Sequence, residues 1–584
     1  MALRVGPRVC VVLPLGADSE VFRNDGPGSC VRKERFAPRA EDDGLLSATV
    51  STGPGKLVLP HNGGTEESEK GTQMSPEAKH RARSATPPFT ALYFGKSDSR
   101  NELEDERGDF LKSFVNIGHV VDEVMNGNKT LVLGPKGTGK SALAWYLYGS
   151  QSGEADHLAS VKDASELPLA DIPQLETGQP AGAERTVSAW RFILLCNYLD
   201  LLLKDESAII PNASEVARVT RLLRRYGFMG SGSGRALIDV SKTKVSIPIP
   251  RVGTIYERES QKELTIFALL PYLENWASNT RSGNRHLLLL DGLDSIFLND
   301  RKYDESLAAL VQAAYSINQK LRSNGATGSV VLLLRNDVFN RVSLTLPDSQ
   351  KMRDDFAIEL DWRVLSGAQG VRAPLLRLVN DKSAHALDLE SLQVLDYFPS
   401  SVQLGSRNPN KEPRFMPTLQ YLLNLTRHTP RDLLRLLEEI RLVEASGNFP
   451  ASGKVLRQDV IREGTIQYAN RYFVGAIRNE FAGYDDGPEE AEAALASLQA
   501  LRRQKFRRDD FRAKLTELTG SGAKADRLLK LLFYAGAIGN VVKVNGAGSY
   551  LQFYHRRDDA SIYLRGQLIV HGALCHAWNI PFSV

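Results

Sequence analysis

One segment of this 584-residue chain constrains its fold more than any other: TLVLGPKGTGKSALAWYLYG, residues 130–149. An apolar strand runs into the octet Gly134-Pro135-Lys136-Gly137-Thr138-Gly139-Lys140-Ser141, and a helical pattern follows at once. The octet satisfies GxxxxGK[ST] in full, with strand and helix on the correct sides. Glycines let the backbone turn so that successive N–H groups face inward and donate to phosphate oxygens. The start of the helix adds positive potential at the same point. In such a loop Lys140 neutralises the β- and γ-phosphates of a nucleoside triphosphate, and the Ser141 hydroxyl ligates Mg²⁺. ATP and Mg²⁺ are therefore the expected ligands, with residues 134–141 as their cradle.

A second strand should bring a carboxylate to the same place, and RHLLLLDGLD supplies it. Leu287–Leu290 read as a buried strand that delivers Asp291 at its C-terminal end, where it can hold the Mg²⁺ shell. Asp294 follows three residues later. SVVLLLRNDVF reads as another buried strand, ending in Arg335, Asn336 and Asp337. The helix ESLAALVQAAYSINQKLRS lies between the two. Alternating strands and helices imply a parallel sheet covered on both faces. The expected fold class is α/β: a P-loop NTPase sheet with a helical lid and a C-terminal winged-helix-like domain.

Composition agrees with a globular chain, 42% hydrophobic and 24% charged. The length implies three or four domains. Lys and Arg total 73 against 69 acids, so global charge does not argue for nucleic acid. The four cysteines, Cys10, Cys30, Cys196 and Cys575, form no CxxC pair and suggest neither a zinc ribbon nor a disulfide framework. No apolar run reaches the roughly 20 residues that span a bilayer. A cytoplasmic protein without membrane contact is expected.

Residues 1–88 are rich in Gly, Pro, Ser and charge without a period, and are expected to be disordered. The run VCVVLPL is too short and Pro-broken for a strong signal-peptide reading, and Met74 is an alternative start. Residues 89–365 form the expected ATPase core. Within it, Phe110, Leu111, Phe114, Val115, Ile117, Val120 and Val121 recur at helical spacing. Residues 151–188 read as a polar loop insertion, with a short strand near Leu158–Val161. SKTKVSIPIPRVGTIYERES alternates as a β-hairpin would. Residues 366–448 read as an all-helical lid. In it Thr429 is the expected N-cap, Pro430 the first helical residue, and Arg431 a first-turn cation able to read a γ-phosphate. The alternative for Arg431 is a surface ion pair.

Residues 449–584 read as helices followed by a two-stranded wing with Asn545-Gly546 in its turn. The basic stretch at Arg502, Arg503, Lys505, Arg507, Arg508, Arg512 and Lys514 raises DNA as a partner. Asp509 and Asp510 interrupt it, so a solvated helix face is the competing reading. His555, His571 and His576 make no recognisable zinc set.

GPKGTGKS, LLLLDGLD, LLLRND and TPRDLL, in this order, resemble the AAA+ branch that holds origin-recognition ATPases and the STAND signalling ATPases. A closer resemblance is to a bacterial P-loop ATPase family that opens with an FGxxDAxxE-type motif. Here Phe94-Gly95-Lys96-Ser97-Asp98-Ser99-Arg100-Asn101-Glu102 carries Ser99 in place of the alanine. The ending FYHRRDDASIYLRGQLIVHGALCHAWNI is similar to that family's basic, aromatic tail. The resemblance covers residues 92 to about 580. It implies an ATP-dependent switch in bacterial signalling or defence, a homo-oligomer, and a separate effector protein, since no nuclease, protease or other effector pattern is visible. An ATP-gated DNA-binding protein of the origin-recognition type is the alternative. It also implies sensor roles for Asn336 or Arg335 and for Arg431. One departure bears on hydrolysis. AAA+ relatives place a glutamate after the Walker B aspartate to orient water. This chain has Gly292, which leaves Asp294 as the nearest substitute and points to slow turnover.

Overall fold

Four consecutive leucines account for the centre of the molecule. In a strand, successive side chains point to opposite faces, so a run such as Leu287–Leu290 must be covered on both. Leu287 and Leu289 pack with Val132, Val331 and Leu333 on one side. Leu288 and Leu290 pack with Leu131, Leu133, Val330 and Leu332 on the other. Burying each such side chain contributes about 1.5–3 kcal/mol.

The computed structural model describes residues 86–105, 107–151, 156–164, 183–225, 228–229, 269–293, 301–346, 348–363, 373–404, 412–481, 487–544, 548–556 and 560–581. Among them the central sheet has five strands: β1 (Leu131–Leu133), β2 (His157–Asp163), β3 (Arg285–Asp291), β4 (Gly328–Leu334) and β5 (Ala357–Glu359). Their order is β2-β3-β4-β1-β5, and every pairing is parallel. The helices α1 (Ser99–Asp105) and α2 (Lys140–Ser150) precede β2 in the chain. Leu143, Ala144 and Leu147 of α2 cover one face of the sheet. The opposite face is covered by α3 (Ala183–Leu202), α4 (Leu270–Asn279) and α5 (Arg301–Ser323).

A further hydrophobic core joins Phe89, Leu92 and Phe94 to residues between Trp362 and Ile580. It takes in α6 (Pro374–Ala386), α7 (Pro430–Ala445), α8 (Gln458–Tyr468) and α9 (Val474–Arg478). Toward the C-terminus, α10 (Arg508–Thr519) and α11 (Ala525–Tyr534) lead into β9 (Ile538–Val544). All the described residues lie in one compact unit, Ser84–Val584. Among them no helix is long and apolar enough to cross a membrane.

Four sequence expectations change. The periodic stretch Phe110–Val121 is not one helix. Gly118 and His119 adopt left-handed backbone, φ 57° and 56°, and split it. The strand expected near Leu158–Val161 is longer and forms the sheet edge, seven residues in register with β3. Residues 366–448 are not all helical, because β6 (Ser401–Leu404) and β7 (Arg414–Pro417) pair antiparallel. Short strands of this kind leave no helical period to contradict, and tertiary packing decides them. Near the C-terminus β9 and β10 (Gly548–Gln552) form the antiparallel strand pair expected there, and β11 (Gln567–Val570) separates β9 from β8 (Lys505–Arg507). The expected disorder of 1–85, the hairpin at 241–260, the Asn545-Gly546 turn and the greater part of the 151–188 insertion lie outside the described residues.

Candidate functional site

The loop between β1 and α2 turns through left-handed glycines. Gly137 has φ 85° and Gly139 φ 96°, a region that costs other residues strain. At Gly137 the space is also tight, since a Cβ would lie 3.2 Å from Cβ of Arg431. Within the loop Thr138 Oγ1 donates to the Pro135 carbonyl at 2.8 Å. Lys140 is buried, and its Nζ donates to the carbonyls of Gly134 at 2.9 Å and Pro135 at 3.1 Å. From beyond β5, Trp362 Nε1 donates to the Thr138 carbonyl at 2.8 Å. That brace was not legible in sequence, because a lone Trp carries no signal of its partner.

This loop borders a cavity of about 310 Å³, within the size range of small-ligand sites. Lys136, Lys140, Ser141, Asp291 and Arg431 are among the polar residues that line it, and Phe110, Phe114, Val115, Ile117 and Leu378 among the apolar ones. Asp291 and the loop are not on adjacent strands, as β4 intervenes. The parallel sheet nevertheless brings both to the same edge, the usual ligand edge of such sheets.

Arg431 arrives from α7. Thr429 caps that helix, its side chain accepting from the Asp432 amide at 3.3 Å, and Pro430 occupies the first turn. The Arg431 amide donates to the Gly137 carbonyl at 3.3 Å, so the helix start rests directly on the glycine loop.

The structure does not bring Arg335 and Asn336 to the cavity wall. Arg335 Nε and Nη2 donate to Asp337 at 2.9 and 2.8 Å, and Nη2 also to Glu480 at 2.6 Å. Asn336 begins the helix Asn336–Ser343. Arg335, at the end of β4, is thus ion-paired to Asp337 and Glu480, and the sensor reading of Arg335 and Asn336 stays a proposal. Asp294 lies outside the described residues.

Behind Arg431 lies a buried charge network that the sequence did not reveal. Asp432 is fully buried and accepts from Arg427 Nε at 2.9 Å, Nη2 at 3.0 Å and the Arg427 amide at 2.9 Å. Tyr472 also donates to it, at 2.8 Å. Burial pushes the Asp432 carboxyl up, but the Arg427 charge and hydrogen bonds outweigh it and hold the group below the usual carboxylate range. Arg427 Nη1 also reaches Glu480 at 3.3 Å. Glu480 thus ties Arg427, in the lid, to Arg335 at the end of β4.

The FGxxDAxxE-type segment has a legible physical role. Asp98 Oδ1 accepts the Arg100 amide at 2.8 Å at the start of α1. Glu102 forms a buried ion pair with Lys382 of α6 and accepts the Lys96 amide at 3.3 Å. Gly95 has φ 83°, and a Cβ there would lie 3.1 Å from Glu102 Oε1 and Lys382 Nζ. The motif therefore latches the segment before the core onto the lid, at the cavity wall.

Several of the C-terminal cations form ion pairs within the chain. Arg508 bonds Asp526 twice at 2.6 Å, Arg503 pairs with Asp510 at 2.7 Å, and Lys514 with Glu517 at 2.7 Å. Among the described residues no group of three or more His, Cys, Asp or Glu is placed to hold a metal. A Mg²⁺ ion is compatible with this, because it prefers one or two protein oxygens plus substrate phosphate. Ser141 and Asp291 supply oxygens of that kind on the same cavity.

Sheet, glycine loop and helix together define an α/β P-loop NTPase fold. No family model and no curated protein sequence matches the chain. Among solved structures it is similar to Cdc6p from Pyrobaculum aerophilum, at 13% identity and TM-score 0.27 over 77% of this chain and 90% of that one. It is also similar to Drosophila ORC bound to DNA, at 10% identity and TM-score 0.26 over 90% and 96% of the respective chains. At these scores neither similarity assigns a role to this chain.

Proposed function

We propose that the chain binds ATP-Mg²⁺ and acts as a slowly hydrolysing, nucleotide-dependent switch. The observation that carries the reading is the meeting of Lys140, Ser141, Asp291 and Arg431 on one cavity, with the Arg431 amide bonded to Gly137. In this reading the amides of residues 136–141 and the Lys140 ammonium bind the phosphates. Ser141 and Asp291 hold Mg²⁺, whose charge neutralises the phosphate oxygens. Arg431 answers to the γ-phosphate, and the apolar lining residues take the base. Occupancy bears on the lid through two points of contact, Arg431 against the loop and Lys382 against Glu102. The resemblance of the sequence motifs sets this switch in bacterial signalling or defence, as a homo-oligomer working with a separate effector.

The switch is tested by limited proteolysis and sizing of the purified protein with ADP-Mg²⁺ or a non-hydrolysable ATP analogue. The wild type is expected to differ between the two nucleotides in lid protection, in assembly state, or in both. Lys140→Ala should show neither difference. Identical behaviour of the wild type in both nucleotides would leave ATP binding without a switch.

A further inference from the structure

We propose that Glu438, on the lid helix α7, selects a ribonucleoside triphosphate by accepting hydrogen bonds from the 2′- and 3′-hydroxyls of its sugar. The inference deepens the nucleotide reading above and rests on it. Arg431, Leu434, Arg435 and Glu438 all line the cavity. Their spacing of i, i+3, i+4 and i+7 is one face of a helix. That face begins on the glycine loop, where the Arg431 amide donates to the Gly137 carbonyl at 3.3 Å. With a rise of about 1.5 Å per residue, Glu438 stands about 10 Å further along the helix. A nucleotide whose γ-phosphate meets Arg431 lays its remaining phosphates and its sugar over that span. A carboxylate beside the phosphates would repel them, whereas two turns away it faces neutral hydroxyl donors.

Sugar hydroxyls donate, and an ionised carboxylate is an acceptor only, with about four lone-pair sites. Arg441 occupies two of them, its Nε donating to Glu438 at 2.8 Å and its Nη2 at 2.7 Å. The capacity that remains matches the two adjacent hydroxyls of a ribose. Arg441 is itself fixed, because its Nη1 donates to the Thr90 carbonyl at 3.1 Å. The carboxylate is thus oriented before a ligand arrives, which lowers the ordering cost of binding. Its side chain keeps 23% of its exposure, so it is open to the cavity rather than sealed in the core. The other acids on the cavity wall have different tasks. Glu102 is in the buried pair with Lys382, and Asp291 is the proposed metal ligand. Arg435, on the same face of α7, bonds Glu439 at 3.0 Å.

The test measures the affinity of the purified full chain for ATP, 2′-deoxy-ATP and 3′-deoxy-ATP with Mg²⁺, in wild type, Glu438→Gln and Arg441→Gln. The wild type is expected to bind ATP about tenfold tighter than either deoxy analogue, the range for a hydrogen bond to a charged group. Glu438→Gln should bring that ratio to about threefold or below, chiefly by weakening ATP, because a neutral amide is the poorer acceptor. Arg441→Gln, which loosens the carboxylate without touching the ligand, should give an intermediate ratio. A merely structural Glu438 would shift all three affinities together and leave the ratio where it was. The proposal is overturned if the wild type binds either analogue within about threefold of ATP, or if Glu438→Gln keeps the wild-type ratio. Should Glu438→Gln fail to fold, an unchanged ratio in Arg441→Gln overturns it equally. Failure of the wild type to bind any nucleoside triphosphate would instead remove the nucleotide reading, and this inference with it.

Discussion

Arg427→Ala is expected to destabilise the protein by about 3–5 kcal/mol, because it strands a buried carboxylate. Asp432 is completely buried, and Arg427 supplies two side-chain hydrogen bonds to it as well as the opposing charge. Tyr472 and the Asp432 carboxylate would then face each other without the cation. Removing both partners at once, as in Arg427→Met with Asp432→Leu, leaves no uncompensated charge and should cost less than the sum of the single changes. Denaturant unfolding of Arg427→Ala, of Arg427→Met and Asp432→Leu singly, and of their double measures this. Equal midpoints for wild type and Arg427→Ala would show that the network adds nothing to stability. The same network has a positional consequence. Asp432 follows Arg431 in the first turn of α7, so the charge that anchors the helix start also sets where Arg431 meets the loop.

Acid is the second large lever. Burial lowers His571 to about 3 and His428 to about 3 from their ordinary value of 6.5, and His576 to about 4. His555 is lowered well below its ordinary value by the same cause, with Arg556 adding to it. The rings of three of them meet in one group, His428 edge-on to His555 at 5.7 Å, His555 edge-on to His571 at 5.7 Å and His571 stacked on Phe473 at 4.6 Å. A histidine with a depressed folded pKa binds more protons when unfolded. Stability is then full above about pH 6.5 and falls as pH drops toward the folded value. For fully buried His571 the loss at pH 5 is about 2 kcal/mol, from one and a half pKa units at 1.36 kcal/mol each. Asp432 adds to the loss in the same direction below its ordinary carboxylate range. The thermal midpoint is therefore expected to fall steeply from pH 7 to pH 4.5. His571→Asn, which keeps an acceptor for the Ala573 amide, should depend less on pH. A flat midpoint between pH 7 and pH 5 would contradict this account of the histidine group.

What the sequence disclosed depended on how local the physics was. The glycine loop and the Asp291 strand were legible because phosphate chemistry demands contiguous residues between a strand and a helix. Thr429 and Pro430 were legible because capping is settled within one turn. Pairings across the chain were not. Glu102 meets Lys382 at a separation of 280 residues, and Arg335 meets Glu480 at 145. Nothing local marks such partners. The strand expected near Leu158–Val161 was legible only in part: its full length to Asp163 and its place beside β3 follow from the register between the two strands. The break at Gly118 and His119 and the β6–β7 pair were likewise decided by packing rather than by propensity.

Titration calorimetry of wild type and Lys140→Ala with ATP, with and without Mg²⁺, tests the central claim most directly. Saturable one-site binding that strengthens with Mg²⁺ and is lost in Lys140→Ala is the result the geometry requires. No affinity for any nucleoside triphosphate, or an unchanged affinity in Lys140→Ala, would contradict it.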